Sequence, residues 1–139
     1  MLEVEKAGFS FESFKVPRFT FDGNNHSGAI IKMGFSPSGR YISKTGEFEL
    51  TIKFISYEED NKDKIIFGLT AISKFKFKTS ILYTEIPDFF YQNAIAITFP
   101  YVRAFISTLT LQSNTKLLQL DLMNLSNLEK PLIDNTVEI

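Results

Sequence analysis

Apolar and polar residues alternate strictly from Glu47 to Phe54, in the order Glu-Phe-Glu-Leu-Thr-Ile-Lys-Phe. Successive side chains of a strand point to opposite faces, so this pattern is typical of an antiparallel strand with one buried face and one face in water. Three further segments, at about 9–21, 29–35 and 65–78, have strand-type patterns rich in phenylalanine and isoleucine. The sequence therefore predicts four strands in its first half.

The first strand segment changes the phase of its alternation twice. The apolar residues concerned are Phe9, Phe11, Phe14, Val16, Phe19 and Phe21. These side chains can share one face only if a bulge or bend absorbs the extra residues. Pro17 has no N–H to donate, which favours an edge or kinked position for this strand.

Turn-forming residues separate the four segments. Asp22–Gly28 and Ser36–Gly39 are composed of residues that favour turns, and the charged segment Glu58–Lys64 is predicted to join the third and fourth strands. After the fourth strand, 79–93 is predicted to be irregular. The tail, 124–139, has only a weak pattern.

The segment from Phe99 to Gln112 has the pattern of an amphipathic helix. One apolar stripe follows the spacing i, i+3, i+4 and i+7: Val102, Phe105, Ile106 and Leu109. Pro100 fits the first turn, where its missing N–H has no intrahelical partner, and Thr98 is the predicted cap. Ser113–Thr115 breaks the helix, and Leu117–Leu122 fits either a strand or a second amphipathic segment.

Strands first and a helix last favour an α+β fold. We expect an antiparallel sheet of about four strands with a C-terminal helix packed on one face. At 139 residues the chain has the size of one domain, so we expect a single domain over 1–139.

Composition excludes several classes of function. The net charge of −1 gives no general attraction to nucleic acid or to anionic lipid, and the absence of cysteine removes disulfides, thiol catalysis and thiolate metal sites. The N-terminal residues do not resemble a signal peptide, and no stretch of about 20 apolar residues is evident. We therefore expect a cytoplasmic protein without membrane insertion.

No constellation of residues indicates catalysis, a metal or a cofactor. His26 is the only histidine and is expected to be a solvated turn residue, while Glu47 and Glu49 lie on the polar face of a strand. Lys74, Lys76 and Lys78 alternate with phenylalanines on the opposite face of their strand, whereas nucleic-acid binding needs basic and aromatic groups on one surface. We expect neither an enzyme nor a nucleic-acid-binding protein.

The sequence Phe99-Pro100-Tyr101-Val102-Arg103 resembles the Phe-Pro-Tyr-Ala-Arg motif of the SecB family of protein-export chaperones, and it follows the strands as it does there. The segment 117–124, Leu-Leu-Gln-Leu-Asp-Leu-Met-Asn, occupies the place of a Pro-Gln-Leu-Asn-Leu-x-x-Asn stretch. Ser113–Thr115 replaces the family's glycine after the helix, and the tail is shorter than its second helix and acidic tail.

This resemblance implies an ATP-independent chaperone that keeps preproteins unfolded, assembles as a dimer of dimers and passes its clients to the SecA motor. Some members of the superfamily serve toxin–antitoxin systems instead. The implied partners are unfolded polypeptide clients, a secretion motor or a toxin–antitoxin pair, and further copies of the chain in a homodimer or homotetramer.

Our first hypothesis is therefore a chaperone or adaptor that binds apolar segments of unfolded polypeptides, either preproteins or antitoxin-type clients. The predicted client-binding residues lie in the irregular stretch before the helix: Leu82, Tyr83, Phe89, Phe90 and Tyr91. Core packing beneath a loop is the alternative interpretation of these rings. The alternative function is a non-enzymatic structural or assembly protein that uses the same sheet to oligomerise.

Overall fold

The computed structural model describes residues 8–118, 120 and 123–139. Four long strands come first: β1 (Phe9–Phe21), β2 (Ile31–Ile42), β3 (Glu47–Glu58) and β4 (Ile65–Phe77). They are followed by the helix α1 (Asp88–Gln112), the short helix α2 (Glu129–Asp134) and the short strand β5 (Thr136–Glu138). Single 3₁₀ turns occur at Gly23–Asn25, Tyr83–Glu85 and Leu125–Leu128.

The described strands form one mixed sheet in the order β1-β4-β3-β2-β5. The expectation of a purely antiparallel sheet of about four strands is corrected, because β5 adds a fifth strand that runs parallel to β2 over Gly39–Tyr41. With three residues, β5 is too short to produce a detectable alternation. It covers part of the β2 edge, whereas the outer edge of β1 has no neighbouring strand among the described residues.

The register of β1 confirms that bulges absorb its changes of phase. Register shifts against β4 lie between Phe11 and Ser13 and between Lys15 and Arg18. Because of them, the apolar residues of β1 pair with the residues of β4 that face the helix: Phe9 with Phe77, Phe11 with Phe75, Phe14 with Ser73, Phe19 with Leu69 and Phe21 with Phe67.

The prediction that Ser36–Gly39 forms a turn is wrong, because β2 continues through it. Pro37 lies opposite Ile52 at a point where β5 does not yet pair with β2, so its missing N–H costs no ladder bond on that side. Gly39 serves a close approach: a Cβ there would lie 2.5 Å from the Phe48 ring and 2.7 Å from Thr136 Oγ1.

The prediction that the helix begins at Phe99 or Pro100 is also wrong, since α1 begins at Asp88 and contains Pro100 in its interior. Pro100 and Ala96 are both exposed, so water can reach the Ala96 carbonyl that loses its intrahelical donor. Thr98 is not a cap. It is buried, and its hydroxyl donates to Ser73 Oγ at 2.9 Å between helix and sheet.

One face of α1 packs on the phenylalanine-rich face of the sheet. Val102 and Ile106 are fully buried as expected, but Phe105 and Leu109 are only half-buried. By length and composition α1 is apolar enough to cross a membrane, a criterion that the core helices of soluble domains also meet. Its buried face accounts for much of that apolar character: Phe90, Tyr91, Ala94, Ile95, Thr98, Phe99, Val102, Ile106 and Thr110.

The predicted break at Ser113–Thr115 is confirmed, and Asn114 adopts a positive φ of 57° there. Beyond it, Leu117, Leu118 and Leu120 belong to neither a helix nor a strand, and the other residues of 117–122 lie outside the described ones. Leu118 N donates to Thr110 Oγ1 at 3.0 Å, which ties this segment to the end of α1.

Glu58 holds the connection between β1 and β2 in place. Its Oε2 accepts from the backbone N–H groups of Ser27, Gly28 and Ala29 at 3.0, 3.2 and 2.8 Å, and its Oε1 accepts from the Ser27 hydroxyl at 2.8 Å. The Ser27 hydroxyl makes the largest contribution to a pKa of Glu58 below its ordinary value of 4.5, and the three backbone bonds add to it, although burial acts in the opposite direction.

We expect Glu58→Gln to destabilise the protein at pH 7. Because the pKa of Glu58 is lowered by folding, its contribution is present above the unfolded-state pKa of about 4.5 and is lost as the pH falls through the folded-state pKa. Urea unfolding of both proteins from pH 7 to pH 3 should show the gap in stability narrowing below about pH 4.5.

Glu59→Gln is the matched control. Glu59 is half-exposed, and its ion pair with Lys32 spans 3.8 Å at the surface, so it contributes little. An equal loss at both positions, or a Glu58→Gln gap that does not change with pH, would contradict the assigned role of Glu58.

Candidate polypeptide-binding surface

The structure separates the five residues predicted to contact a client. Leu82 and Phe89 are exposed, at 63% and 59%, whereas Phe90 is 0% and Tyr91 4% exposed. The expectation that Phe90 and Tyr91 belong to an exposed loop is therefore corrected. Because α1 begins at Asp88, consecutive residues point about 100° apart around the helix, so Phe89 faces water while its two successors face the sheet.

Phe90 lies at the centre of an aromatic cluster beneath the start of α1. Its ring centroid is 4.7 Å from that of Phe77 and 4.9 Å from those of Phe9 and Phe48. Burial, assisted by nearby Tyr83 and Asp88, raises the pKa of Tyr91 to about 12. Both residues are core positions.

Tyr83 packs against the same core but toward the edge of the sheet formed by β2 and β5. Its hydroxyl donates to the Thr136 carbonyl on β5 at 3.0 Å, and its ring stacks on Tyr41 of β2 with centroids 6.4 Å apart. Phe89 instead shares a depression of about 240 Å³ with Gly8 and Phe9 at the start of β1. The five predicted residues therefore do not form one surface.

Several aromatic rings lie along the line where β1 meets α1. We call it the β1–α1 seam and define it by Phe9, Phe11, Phe14 and Phe19 of β1 with Phe89, Tyr101 and Phe105 of α1. Tyr101 stacks on Phe14 with centroids 5.2 Å apart, and Phe105 meets Phe19 edge-to-face at 5.2 Å. Tyr101 and Phe19 are nearly half exposed. An apolar depression of about 430 Å³ lies beside these contacts and includes Phe14, Tyr101 and Phe105 in its lining.

The open edge of β1 runs along this seam. Among the described residues β1 pairs with β4 on one side only, so backbone N–H and C=O groups on its other side, apart from the missing N–H of Pro17, are available to a further strand. Proteins that bind extended polypeptides commonly combine such an edge with apolar pockets for alternate side chains. The seam has both features, over a strand of 13 residues.

The residues of α1 that face the seam follow a helical spacing of their own in the sequence, separate from the buried apolar stripe. Tyr101, Phe105, Thr108 and Gln112 follow the spacing i, i+4, i+7 and i+11, so they form a second stripe beside the buried one. That stripe lines the 430 Å³ depression. Phe105 belongs to this partly exposed stripe, which explains why it is not fully buried.

The Phe-Pro-Tyr-Val-Arg motif, Phe99–Arg103, contributes side chains both to the buried core and to the seam. Phe99 is buried edge-to-face against Phe35 at 5.7 Å, and the Arg103 guanidinium lies over the Phe99 ring at 5.0 Å. Val102 is fully buried, while Tyr101 belongs to the seam. The motif thus fixes the orientation of α1 on the sheet.

The described residues contain no group of three or more His, Asp or Glu side chains that could hold a metal ion. His26 differs from the expected solvated turn residue. It is half-buried, and its Nδ1 is buried without a hydrogen-bond partner in the described part of the chain. A single imidazole gives no second ligand and no nucleophile.

Similarity to solved structures is consistent with this architecture. The SecB-like chaperone Rv1957 of Mycobacterium tuberculosis, in complex with a ChAD peptide from the HigA1 antitoxin Rv1956, matches with a TM-score of 0.67 and 13% identity, over 84% of this chain and 88% of its own. The chain has a SecB-like fold. A protein of unknown function from Streptococcus agalactiae matches with a TM-score of 0.46 and 10% identity over 82% and 97% of the chains, too distant to support an argument. No protein-family model and no curated protein matches the sequence.

Phe89 and Phe90 provide a matched pair for testing core against surface. Phe90→Ala removes a fully buried ring and should lower the free energy of unfolding by about 3–5 kcal/mol. Phe89→Ala removes an exposed ring and should cost less than about 1 kcal/mol. Chemical denaturation of both variants measures the difference. Similar losses at the two positions would show that α1 is rotated from the orientation described.

Proposed function

We propose that this protein is an ATP-independent chaperone or adaptor that binds apolar segments of unfolded polypeptides at the β1–α1 seam. The observation that carries the proposal is the open edge of β1 lying beside partly exposed rings of both β1 and α1. An extended segment added to β1 would form backbone hydrogen bonds along the edge. Its side chains on the helix side would lie against Tyr101 and Phe105.

The energetics of such binding require no nucleotide. Burial of apolar surface contributes about 25 cal/mol per Å², and backbone pairing is independent of client sequence. Binding should therefore tolerate many clients that share only an apolar, extended segment. It should also survive moderate salt, because ion pairs contribute little to it.

The SecB-like fold supports an antitoxin-type or preprotein client. The fold neighbour from Mycobacterium tuberculosis is a SecB-like chaperone bound to an antitoxin peptide. We extend peptide binding from that neighbour to this chain on the strength of the seam. A cytoplasmic location, and delivery to a secretion motor or service to a toxin–antitoxin pair, are further parts of the proposal that follow from the resemblance to SecB.

Assembly is the second candidate function, and the same open edge favours it. A long edge strand with apolar neighbours is a template for pairing with another copy of the chain, and closed symmetry is the usual way to cover it. We propose a homodimer or homotetramer. In a chaperone, some seam rings must remain accessible after assembly, whereas in a purely structural protein the partner copy covers them all.

We expect sedimentation equilibrium at about 50 μM to give the mass of a dimer or tetramer. The reason is that the edge of β1 and its adjoining rings leave more apolar surface than α1 covers. A monomer at this concentration would contradict the assembly proposal. It would leave client binding to be tested independently.

We expect the wild-type protein to suppress aggregation of a slow-folding client, measured by light scattering without nucleotide. The double variant Phe89→Ser/Tyr101→Ser should lose most of this effect, because both rings lie on the seam and are about half exposed. Ile30→Ser is the matched control, since Ile30 is a highly exposed apolar residue before β2 and lies outside the seam.

Circular dichroism and denaturation should show that the double variant remains folded. Equal suppression by the wild type and the double variant would place the client elsewhere. Unchanged client aggregation at several-fold excess of the wild type would contradict the chaperone function and favour assembly.

A further inference from the structure

The face of the sheet opposite α1 carries a cluster of three exposed cations. Strand pairing places Lys53 and Arg18 on either side of Thr70 in one row across β3, β4 and β1. Lys15 lies in the adjacent row, opposite Ile72. We call Lys15, Arg18 and Lys53 the basic patch.

The second bulge of β1 creates this patch. With uninterrupted alternation, Lys15 and Arg18 would point to opposite faces of the strand. The register shift between them pairs Lys15 with Ile72 and Arg18 with Thr70, two residues of β4 that share one face. Bulges redirect side chains in this way, and here the redirected side chain is a cation placed beside another cation.

One carboxylate, Glu49, lies in a row beside the basic patch, and it pairs with Arg40 rather than with the patch. The patch occupies the rows Ser38–Thr51–Ile72–Lys15 and Ser36–Lys53–Thr70–Arg18, and the adjoining rows are Gly34–Ile55–Gly68–Thr20 and Arg40–Glu49–Lys74–Ser13. Within the described residues the ion pairs are Lys32 with Glu59 and Arg40 with Glu49, so the three cations of the patch have no ion-pair partner there. Three like charges are therefore held together on a chain whose net charge is −1.

A shallow depression lies within the patch. It has a volume of about 240 Å³ and is lined by Arg18, Thr20, Lys53, Ile55, Gly68 and Thr70, among others. Gly68 contributes no side chain at its centre, and a Cβ there would lie 3.2 Å from Thr20 Oγ1. Ile55 supplies an exposed aliphatic wall beside the two cations. The site thus offers positive charge, hydroxyl groups and one apolar contact.

We propose that the basic patch docks an acidic, extended segment of a partner polypeptide, with its carboxylates on Arg18 and Lys53 and an aliphatic side chain against Ile55. Strands lie about 4.8 Å apart, so the Cα atoms of Lys53 and Arg18 are about 10 Å apart. Alternate residues of an extended peptide are about 6.8 Å apart, a distance that long cationic side chains readily match. This surface lies on the opposite face of the sheet from the seam, although Phe19 borders both, and the proposal does not depend on client binding.

The surroundings favour a polypeptide over a phosphate-rich ligand. β3 and β4 are interior strands whose backbone N–H groups are used in the sheet, so the part of the patch around Lys53 and Thr70 lacks the backbone donors typical of phosphate sites. The four rows contain no aromatic side chain on which a base could stack, and the aromatic residues that border the depression, Phe19 and Phe54, occupy strand positions that face the helix. In the next two rows Lys74 and Lys76 of β4 lie opposite Glu49 and Glu47 of β3, so charge there is largely balanced and a long polyanion would gain little by continuing along the strands.

The test is an NMR titration of ¹⁵N-labelled full-length protein with a 12-residue peptide of alternating glutamate and leucine. We expect shifts in the amide signals of Arg18, Lys53, Gly68 and Thr70, and binding that weakens as salt increases. The variant Arg18→Glu/Lys53→Glu should bind at least about tenfold more weakly. Lys62→Glu/Lys64→Glu, in the exposed β3–β4 connection, makes the same change in charge and should bind like the wild type.

Two further ligands serve as controls. Neither a peptide of alternating glutamine and leucine nor a 12-nucleotide oligouridylate should shift these amide signals. Equal binding by the two charge-reversal variants, shifts confined to α1 and the seam, or no shifts at millimolar peptide would each overturn the proposal. If oligouridylate shifts the amide signals of the same residues, the ligand of the basic patch is a nucleic acid and the acidic-peptide proposal is wrong. If Arg18→Glu/Lys53→Glu fails to fold, as its spectrum will show, Arg18→Gln/Lys53→Gln takes its place.

Discussion

The two register shifts in β1 are the constraint on which the rest of the structure depends. They hold every apolar side chain of a 13-residue strand on the helix face, where the rings meet those of β4 and α1. Without them, Phe14 and Val16 would point into water and the core beside α1 would lose its outer wall. The same local change in backbone turns Lys15 and Arg18 to the opposite face together. These two irregularities therefore shape the core, the seam and the basic patch.

The two edges of the sheet differ in how much of each is covered by another strand, and the candidate site lies along the less covered one. The short strand β5 pairs with part of β2, and Ile139 N donates to the Tyr41 carbonyl just beyond it. The edge of β1 has no such cover among the described residues, and partly exposed rings follow it. An uncovered edge is an aggregation hazard unless a partner uses it. A client strand or a second copy of the chain would each satisfy that requirement.

The sequence was sufficient where side-chain period alone determines structure. Strict alternation located β3, and the phase changes with Pro17 correctly predicted bulges in β1. It failed where tertiary contacts override local preference. Ser36–Gly39 has turn composition, yet the strand continues because Gly39 admits the Phe48 ring. Pro100 indicated a helix start, yet α1 extends twelve residues before it because the buried face from Phe90 to Phe99 outweighs the local cost.

The candidate site was only partly predictable for the same reason. An error in the start of the helix placed Phe90 and Tyr91 in a loop, although their rings belong to the core. The contacts of Phe14 with Tyr101 and of Phe19 with Phe105 depend on strand order and helix placement, which single-sequence patterns do not encode. The SecB-like fold could be predicted from the sequence because the short motif Phe99–Arg103 resembles that of the SecB family. In the structure this motif lies where α1 packs on the sheet.

The most direct test of the account is amide hydrogen exchange along β1, with and without a permanently unfolded client polypeptide. A client that adds to the β1 edge hydrogen-bonds the amides of β1 that point away from β4, and these should exchange more slowly in its presence. The amides of β5, and those of Lys53 and Thr70 in the interior strands, should be unaffected. Unchanged exchange along β1 in the presence of a bound client, with protection elsewhere, would contradict the assignment of the seam as the polypeptide-binding surface.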